Sequence, residues 1–134
     1  AKLALTGLMN SLKIEGAKYN VKVNTVAPLA ASRLTEDVLP PDLFAKLAPE
    51  FVAPMTLVLA SEECPVTGNI YNVGAGCFNR ACVVTGPGAV VGNGKVPTPE
   101  DVMQAFSAVT SMEGAKPYDQ LNDLVGDVMA QFGN

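Results

Sequence analysis

Val21-Lys22-Val23-Asn24-Thr25-Val26-Ala27-Pro28 is the stretch that decides the fold. β-branched residues at 21, 23 and 26 suit a buried pleated strand, Pro28 closes it, and a loop of small residues, Ala30-Ala31-Ser32, follows. A helical segment precedes this strand, and another separates it from a second strand, Asn69-Ile70-Tyr71-Asn72-Val73. That order spells a βαβ unit. Ligands of open α/β sheets bind outside the carboxyl ends of the strands, so the loop from Pro28 to Thr35 is where function is sought first.

Working outward, residues 1 to about 17 carry helical periodicity, with Ala1, Leu5, Leu8 and Leu12 on one side, and Gly16 and Asn20 stop the helix. Past the loop, Pro40-Pro41-Asp42 opens a short helix with Leu43, Phe44 and Leu47 on its apolar side. A further helix spans Met55 to Ala60, and the turn Pro65-Val66-Thr67-Gly68-Asn69 leads into the second strand, which closes on Gly74-Ala75-Gly76. From Cys77 to Pro97 the chain is Gly-rich, with one β-like run, Ala81-Cys82-Val83-Val84, and reads as a loop or hairpin excursion. Thr98-Pro99-Glu100-Asp101 starts a helix with Val102, Phe106 and Val109 as its stripe. A second stripe, Leu121, Leu124, Val125, Val128, Met129 and Phe132, runs to a stop at Gly133. The expected organisation is therefore two parallel strands with covering helices over residues 1–77, and a Gly-rich excursion with a two-helix extension over 78–134.

Composition removes several chemistries. The 134 residues are enough for a folded core, and an apolar fraction of 49% excludes disorder. A net charge of −4 without a basic cluster argues against nucleic acid as a partner. With no histidine, Ser/His/Asp triads and His metal sites are excluded. Cys64, Cys77 and Cys82 form no C-x-x-C pair and read as reduced, core-filling thiols, which favours a cytoplasmic setting; no metal site is expected. No apolar run approaches the roughly 18 residues of a membrane span, and no signal peptide is visible, so no membrane partner is expected.

Ala1-Lys2-Leu3-Ala4-Leu5-Thr6-Gly7-Leu8, Val23-Asn24-Thr25-Val26-Ala27-Pro28 and Thr67-Gly68-Asn69-Ile70-Tyr71-Asn72-Val73-Gly74-Ala75-Gly76 resemble, in order, landmarks of the C-terminal half of a short-chain dehydrogenase/reductase. The run from Ala27 to Glu36 and the tail resemble more narrowly the 3-hydroxyacyl-CoA dehydrogenase region of peroxisomal multifunctional enzyme type 2 and its bacterial relatives. The resemblance implies a partial Rossmann-like α/β fold and an NAD(P)-dependent oxidoreductase as the parent, with acyl-CoA-like substrates. It also implies a peroxisomal location in a eukaryote.

In that family a Tyr-x-x-x-Lys motif puts both side chains on one helix face; the lysine lowers the phenol's pKa and binds the nicotinamide ribose. Lys2 matches the lysine, and is the catalytic residue the resemblance carries over. The matching tyrosine would stand three residues before Ala1, and Tyr19, Tyr71 and Tyr118 do not replace it, because none stands four before a Lys. The family's serine and nucleotide-binding half likewise have no counterpart in these residues. The cofactor-facing candidates are then Lys2, Pro28, Leu29, Ala31, Arg33 and Thr35. Backbone at Ala31 is the expected donor to the nicotinamide carboxamide, Leu29 stands where the family has Gly, and either Arg33 or Thr35 takes the place of the family's Thr. NAD and NADP are not distinguished, and neither is expected to bind tightly to this chain alone.

Plainer readings compete with each of these. A lysine near a helix start is ordinarily a solvated charge, Asn24 suits a strand-end hydrogen bond, Ser32, Arg33 and Thr35 suit an ordinary polar loop, and the tail stripes suit packing or subunit contact. Thr85-Gly86-Pro87-Gly88-Ala89-Val90-Val91-Gly92 and Gly74-Ala75-Gly76-Cys77-Phe78-Asn79 approach nucleotide-loop spacing, yet a phosphate loop works through the helix N-terminus that follows it, and Gly92-Asn93-Gly94-Lys95-Val96-Pro97 cannot begin one. Two parallel strands are seldom stable alone. The chain is therefore expected either to accompany a missing N-terminal half or to self-associate through the open edge of the first strand and the Leu5, Leu8, Leu12 face. The alternative function is a stand-alone, non-enzymatic oligomeric interaction or acyl-binding module.

Overall fold

The computed structural model describes residues 1–132, and the chain divides into two compact units, Ala1–Cys82 and Val83–Asn134. In the first unit, α1 (Ala4–Gly16) is followed by a 3-10 turn at Ala17–Tyr19 and by Asn20 in the left-handed region at φ 56°, which reverses the chain. Strand β1 (Thr25–Pro28) comes next, then α2 (Pro41–Phe44), a 3-10 turn at Pro49–Val52, α3 (Ala53–Ala60) and strand β2 (Ile70–Gly74). β1 and β2 are parallel, in the register Thr25↔Ile70 to Pro28↔Val73. The α/β architecture read from the sequence is thus present.

The ordered strand is shorter than the β-branched run suggests. Residues 21–24 lie ahead of the first residue of β2 and are held instead by the turn before it. The Thr67 hydroxyl accepts the Val23 N–H at 2.9 Å, and the Gly68 N–H donates to the Val23 carbonyl at 2.7 Å. The Asn24 amide donates to the Val66 carbonyl at 3.0 Å and accepts the Asn69 N–H at 3.2 Å. The strand-end role for Asn24 is therefore observed.

A third strand, β3 (Cys77–Ala81), pairs antiparallel with β2 and gives the order β1-β2-β3. The sequence reading of two strands missed it. Four of its five residues are exposed, so Cys-Phe-Asn-Arg-Ala shows no alternation of apolar and polar positions. The tight turn Ala75-Gly76, with φ of 50° and 73°, makes the hairpin and accounts for the glycines at 74 and 76 without a nucleotide. The expectation of core-filling thiols holds for Cys64 alone; Cys77, the first residue of this edge strand, and Cys82, which follows it, are exposed.

The buried side chains of the unit are Met9 of α1, Leu47 and Cys64 from the segments that follow α2 and α3, and Val73 of β2. Val73 and Leu47 are the most enclosed. By contrast Leu5, Leu8 and Leu12 of α1 are 49%, 54% and 41% exposed.

In the second unit, α4 (Pro99–Gln104) opens on the expected start. The Thr98 hydroxyl accepts the Asp101 N–H while the Asp101 carboxylate accepts the Thr98 N–H at 2.9 Å, a reciprocal capping box. The expected single helix breaks at Ala105, so Val102 falls in α4 and Phe106 and Val109 in α5 (Phe106–Val109). The last stripe forms α6 (Leu121–Ala130); the stop expected at Gly133 lies outside the described residues. Thr85 and Lys116 form an isolated antiparallel bridge. The loop from Gly86 to Gly92 is followed by further coil, and α4 begins only at Pro99, so no helix continues directly from it.

Ala75 occupies a left-handed position that a β-carbon disfavours and asparagine tolerates. Ala75→Asn is expected to stabilise the chain by about 0.5–1 kcal/mol, read as a higher urea midpoint with an unchanged slope. An unchanged or lower midpoint would contradict the turn assignment.

Candidate functional site

Two contacts fix the course of α1 beside β1. A β-carbon placed on Gly16 would come within 2.9 Å of the Val21 β-carbon, and the Thr25 hydroxyl donates to the Met9 sulfur at 3.0 Å. Moving back along α1 from 16 to 9, about 10 Å, therefore follows the strand forward from 21 to 25, about 13 Å. Helix and strand run antiparallel. The amide N–H of Leu5 donates to the Lys2 carbonyl at 3.1 Å, so the turn of chain ahead of α1 continues its course. A further seven helical residues, about 10 Å, bring Lys2 to the level of Pro28, three residues or about 10 Å beyond Thr25. Lys2 and the loop after Pro28 thus share the carboxyl end of the sheet, and Lys2 is exposed there.

The loop itself is held by main-chain bonds. The Leu29 N–H donates to the Val73 carbonyl at 2.8 Å, which extends the β1–β2 ladder one residue past the strand. The same ladder alternates, so the main-chain groups of Val26 and Pro28 point to the open side, and there Pro28 carries no N–H to leave unpaired. The Leu29 carbonyl lies against Gly74 so closely that a β-carbon at 74 would collide with it. Gly74 is a site residue that sequence reading attributed to the strand end alone; a glycine closing a central strand was the available signal.

Ala31 is half-buried, and its N–H donates to the carbonyl of buried Leu47 at 2.6 Å. That donor is engaged inside the protein. Ser32 and Thr35 close the next turn on each other: the Thr35 hydroxyl accepts the Ser32 N–H at 2.9 Å and donates to the Ser32 carbonyl at 3.0 Å. Arg33 projects from that turn and is exposed. The structure therefore brings Lys2, Pro28, Leu29 and Ala31 to one end of the sheet and places Arg33 and Thr35 on the turn that follows, Thr35 with its hydroxyl turned inward.

The second unit holds a different polar cluster. Asp127 of α6 accepts the Tyr118 hydroxyl at 2.6 Å and forms an ion pair with Lys116 at 2.5 Å, beside a cavity of 280 Å³. The hydrogen bond to Asp127, with lesser help from burial, raises the Tyr118 pKa above its ordinary value. A phenol that trades a proton in hydride transfer needs the opposite shift. This pair serves as a clip between Lys116, Tyr118 and α6.

No family model matches the chain. It is 45% identical over 116 residues to a short-chain type dehydrogenase/reductase of Mycobacterium tuberculosis, covering 87% of this chain and 40% of that protein. Its homologues are short-chain dehydrogenases/reductases. Among them, the mouse peroxisomal multifunctional enzyme type 2 is 39% identical over 130 residues, 96% of this chain and 18% of the enzyme. The full-length peroxisomal multifunctional enzyme type 2 of Drosophila melanogaster has a structure that superposes with a TM-score of 0.85 at 33% identity, over 97% of this chain and 24% of that one. A short-chain dehydrogenase from Mycobacterium avium, at 22% identity and a TM-score of 0.58, shares the fold. The chain spans less than half the length of the relatives it matches. In this dehydrogenase/reductase homologue no described helix is long and apolar enough to cross a membrane, and no described cluster of His, Cys, Asp and Glu could hold a metal ion.

The clip makes the stability of the second unit depend on pH in a calculable direction. Hydrogen bonds from Lys116 and then Tyr118 lower the Asp127 pKa, so its contribution is present above the unfolded value of about 3.9 and lost as pH falls through the folded value. Lys116 and Tyr118 are raised, chiefly by Asp127, so theirs is present below about 10 and lost as pH rises through the folded values. Asp127→Asn is expected to lower the thermal midpoint at neutral pH, with the difference from the parent chain shrinking below about pH 4. A pH-independent difference would contradict the clip.

Proposed function

We propose that this chain forms the carboxyl-terminal part of an NAD(P)-dependent short-chain oxidoreductase domain acting on 3-hydroxyacyl-CoA substrates, and that it does not transfer hydride by itself. The observation that carries this reading is the common end of the sheet reached by Lys2 and by the loop from Pro28 to Thr35, in a chain 33% identical to the Drosophila enzyme over almost its whole length.

The loop fits the nicotinamide end of the cofactor. Its path is fixed by Leu29 and Ala31, and the missing side chain at Gly74 leaves room for the Leu29 carbonyl. The Ala31 N–H serves Leu47, so the Ala31 carbonyl is the group that would accept from the carboxamide NH2. Pro28 and Leu29 supply apolar contact to the ring. Of Arg33 and Thr35, Arg33 has the exposed side chain able to reach a phosphate, and Thr35 holds the turn from which it projects. Lys2, a compact cation with three donors, binds the ribose hydroxyls and favours the ionised form of a nearby phenol. When bound, the nicotinamide supplies the hydride acceptor; the side chains named here orient it and set the charge around it.

The apolar stripe of α1 and the open side of β1 support covering by an N-terminal half or by a second copy. The yeast and mouse relatives are named as peroxisomal, which supports a peroxisomal setting for a eukaryotic protein and a cytoplasmic one otherwise.

The test exchanges this chain for the matched 121-residue segment of the yeast peroxisomal hydratase-dehydrogenase-epimerase, to which it is 38% identical. The chimera is expected to oxidise a 3-hydroxyacyl-CoA with NAD(P)+, the isolated chain is expected not to, and Lys2→Ala in the chimera should lower kcat by about 10²–10⁴-fold. A folded chimera whose turnover ignores Lys2→Ala would refute the assignment.

A further inference from the structure

Gly92-Asn93-Gly94-Lys95 makes a tight turn in the second unit, closed by the Lys95 N–H donating to the Gly92 carbonyl at 2.9 Å. Both central residues are left-handed, Asn93 at φ 46° and Gly94 at φ 82°, the backbone that selects Asn followed by Gly. Asn93, Gly94 and Lys95 are exposed, and a β-carbon placed on Gly94 would meet nothing within 4 Å. Among the described residues, neither the Asn93 side-chain amide nor the Gly94 N–H takes part in a hydrogen bond. A side-chain carbonyl that can be attacked and a main-chain nitrogen that can attack it are therefore neighbours in the chain, both unengaged and both open to water.

We propose that Asn93 is a site of spontaneous deamidation, which converts it to aspartate and isoaspartate with water as the co-reactant. Hydroxide from solvent removes the Gly94 amide proton, and the nitrogen attacks Cγ of Asn93. The new N–Cγ bond closes a five-membered succinimide as the bond from Cγ to the side-chain nitrogen breaks, and that nitrogen takes up a proton and leaves as ammonia. Water then adds to one of the two imide carbonyls. Opening at Cγ gives aspartate. Opening at the main-chain carbonyl gives isoaspartate, in which the chain runs through the β-carbon.

The other asparagines are protected, each for a visible reason. Asn93 is the one asparagine in the sequence followed by glycine. Asn20 is the nearest comparison, exposed and left-handed at φ 56°, but the next residue is β-branched, and the Val21 N–H is held by the Gly16 carbonyl at 3.0 Å. Asn24 and Asn72 donate their side-chain amides to the Val66 carbonyl and to Asn79. Asn10 and Asn122 lie in α1 and α6, where the helical backbone is fixed. At Asn93, ring closure needs rotation of the main chain against the one hydrogen bond that closes the turn.

The product bears on the second unit in two ways. Two lysines stand there against six carboxylates, and Asn93 lines the same open cavity as Asp101, so a new carboxylate adds charge of the sign already in excess. Gly92 also lies so near the Lys95 carbonyl and the Pro97 nitrogen that a β-carbon would collide there. The extra methylene of isoaspartate lengthens the chain inside this close turn and shifts the approach to the Thr98 cap of α4.

The test incubates the full chain in mildly alkaline buffer. Peptide mapping locates the change, and an isoaspartate-specific carboxyl methyltransferase with labelled S-adenosylmethionine reports the isoaspartate. Label is expected at position 93, faster at higher pH and with ammonia released, while Asn20 stays intact. Asn93→Gln, whose ring would need six members, should lower the label about tenfold or more. The chain carrying isoaspartate at 93 is expected to melt below Asn93→Gln. An Asn93 that stays intact while a free peptide of residues 90–97 is converted would overturn the proposal. So would conversion of Asn20 at an equal rate, or label that survives Asn93→Gln.

Discussion

The amide of Asn24 sets the geometry on which the first unit depends. By donating to Val66 and accepting from Asn69 it fixes the turn before β2 against the chain before β1, and the Thr25 N–H then reaches the Asn69 carbonyl at 2.9 Å. Thr67 and Gly68 add bonds to Val23 on the same seam. A parallel pair has no tight turn to set its register, so side-chain bonds of this kind do that work. Once Thr25 stands beside Ile70, Leu29 must meet Val73, and the loop beyond it leaves the sheet beside Gly74.

That register was partly legible in the sequence and partly not. The β-branched run, Pro28 and the small residues after it announced a strand with a loop at its carboxyl end, because those signals are local. The helix starts at Pro41 and Thr98 were legible for the same reason: proline at N1 and a hydroxyl cap act within one turn. The length of β1 was not, since it is decided by where β2 begins, 45 residues after Thr25. β3 escaped because an exposed edge strand has no buried face to impress alternation on its sequence. Its turn was visible as Gly74-Ala75-Gly76, yet the same glycines suit other loops, and the pairing of Gly74 with Cys77 decides between them.

The candidate site shows the same division. Lys2 and the Pro28 loop could be named from the sequence, but their common location follows from the contact of Gly16 with Val21 and of Met9 with Thr25, neither of which is a motif. Main-chain donors were the least legible part. Whether Ala31 offers an N–H depends on Leu47, a core residue 16 positions away whose carbonyl takes it. Gly74 acquires its meaning from the Leu29 carbonyl, again a tertiary fact.

The central claim is that the loop after Pro28 is held rigid by the sheet and the core before any ligand arrives. Amide hydrogen exchange of the chain, resolved by residue, tests it directly. The Leu29 and Ala31 amides are predicted to exchange as slowly as those of β2, while the Arg33 amide exchanges at the rate of open loop. Rapid exchange at Leu29 and Ala31 beside a protected β2 would contradict the account, because the loop would then have no fixed geometry from which Lys2 and Ala31 could act together.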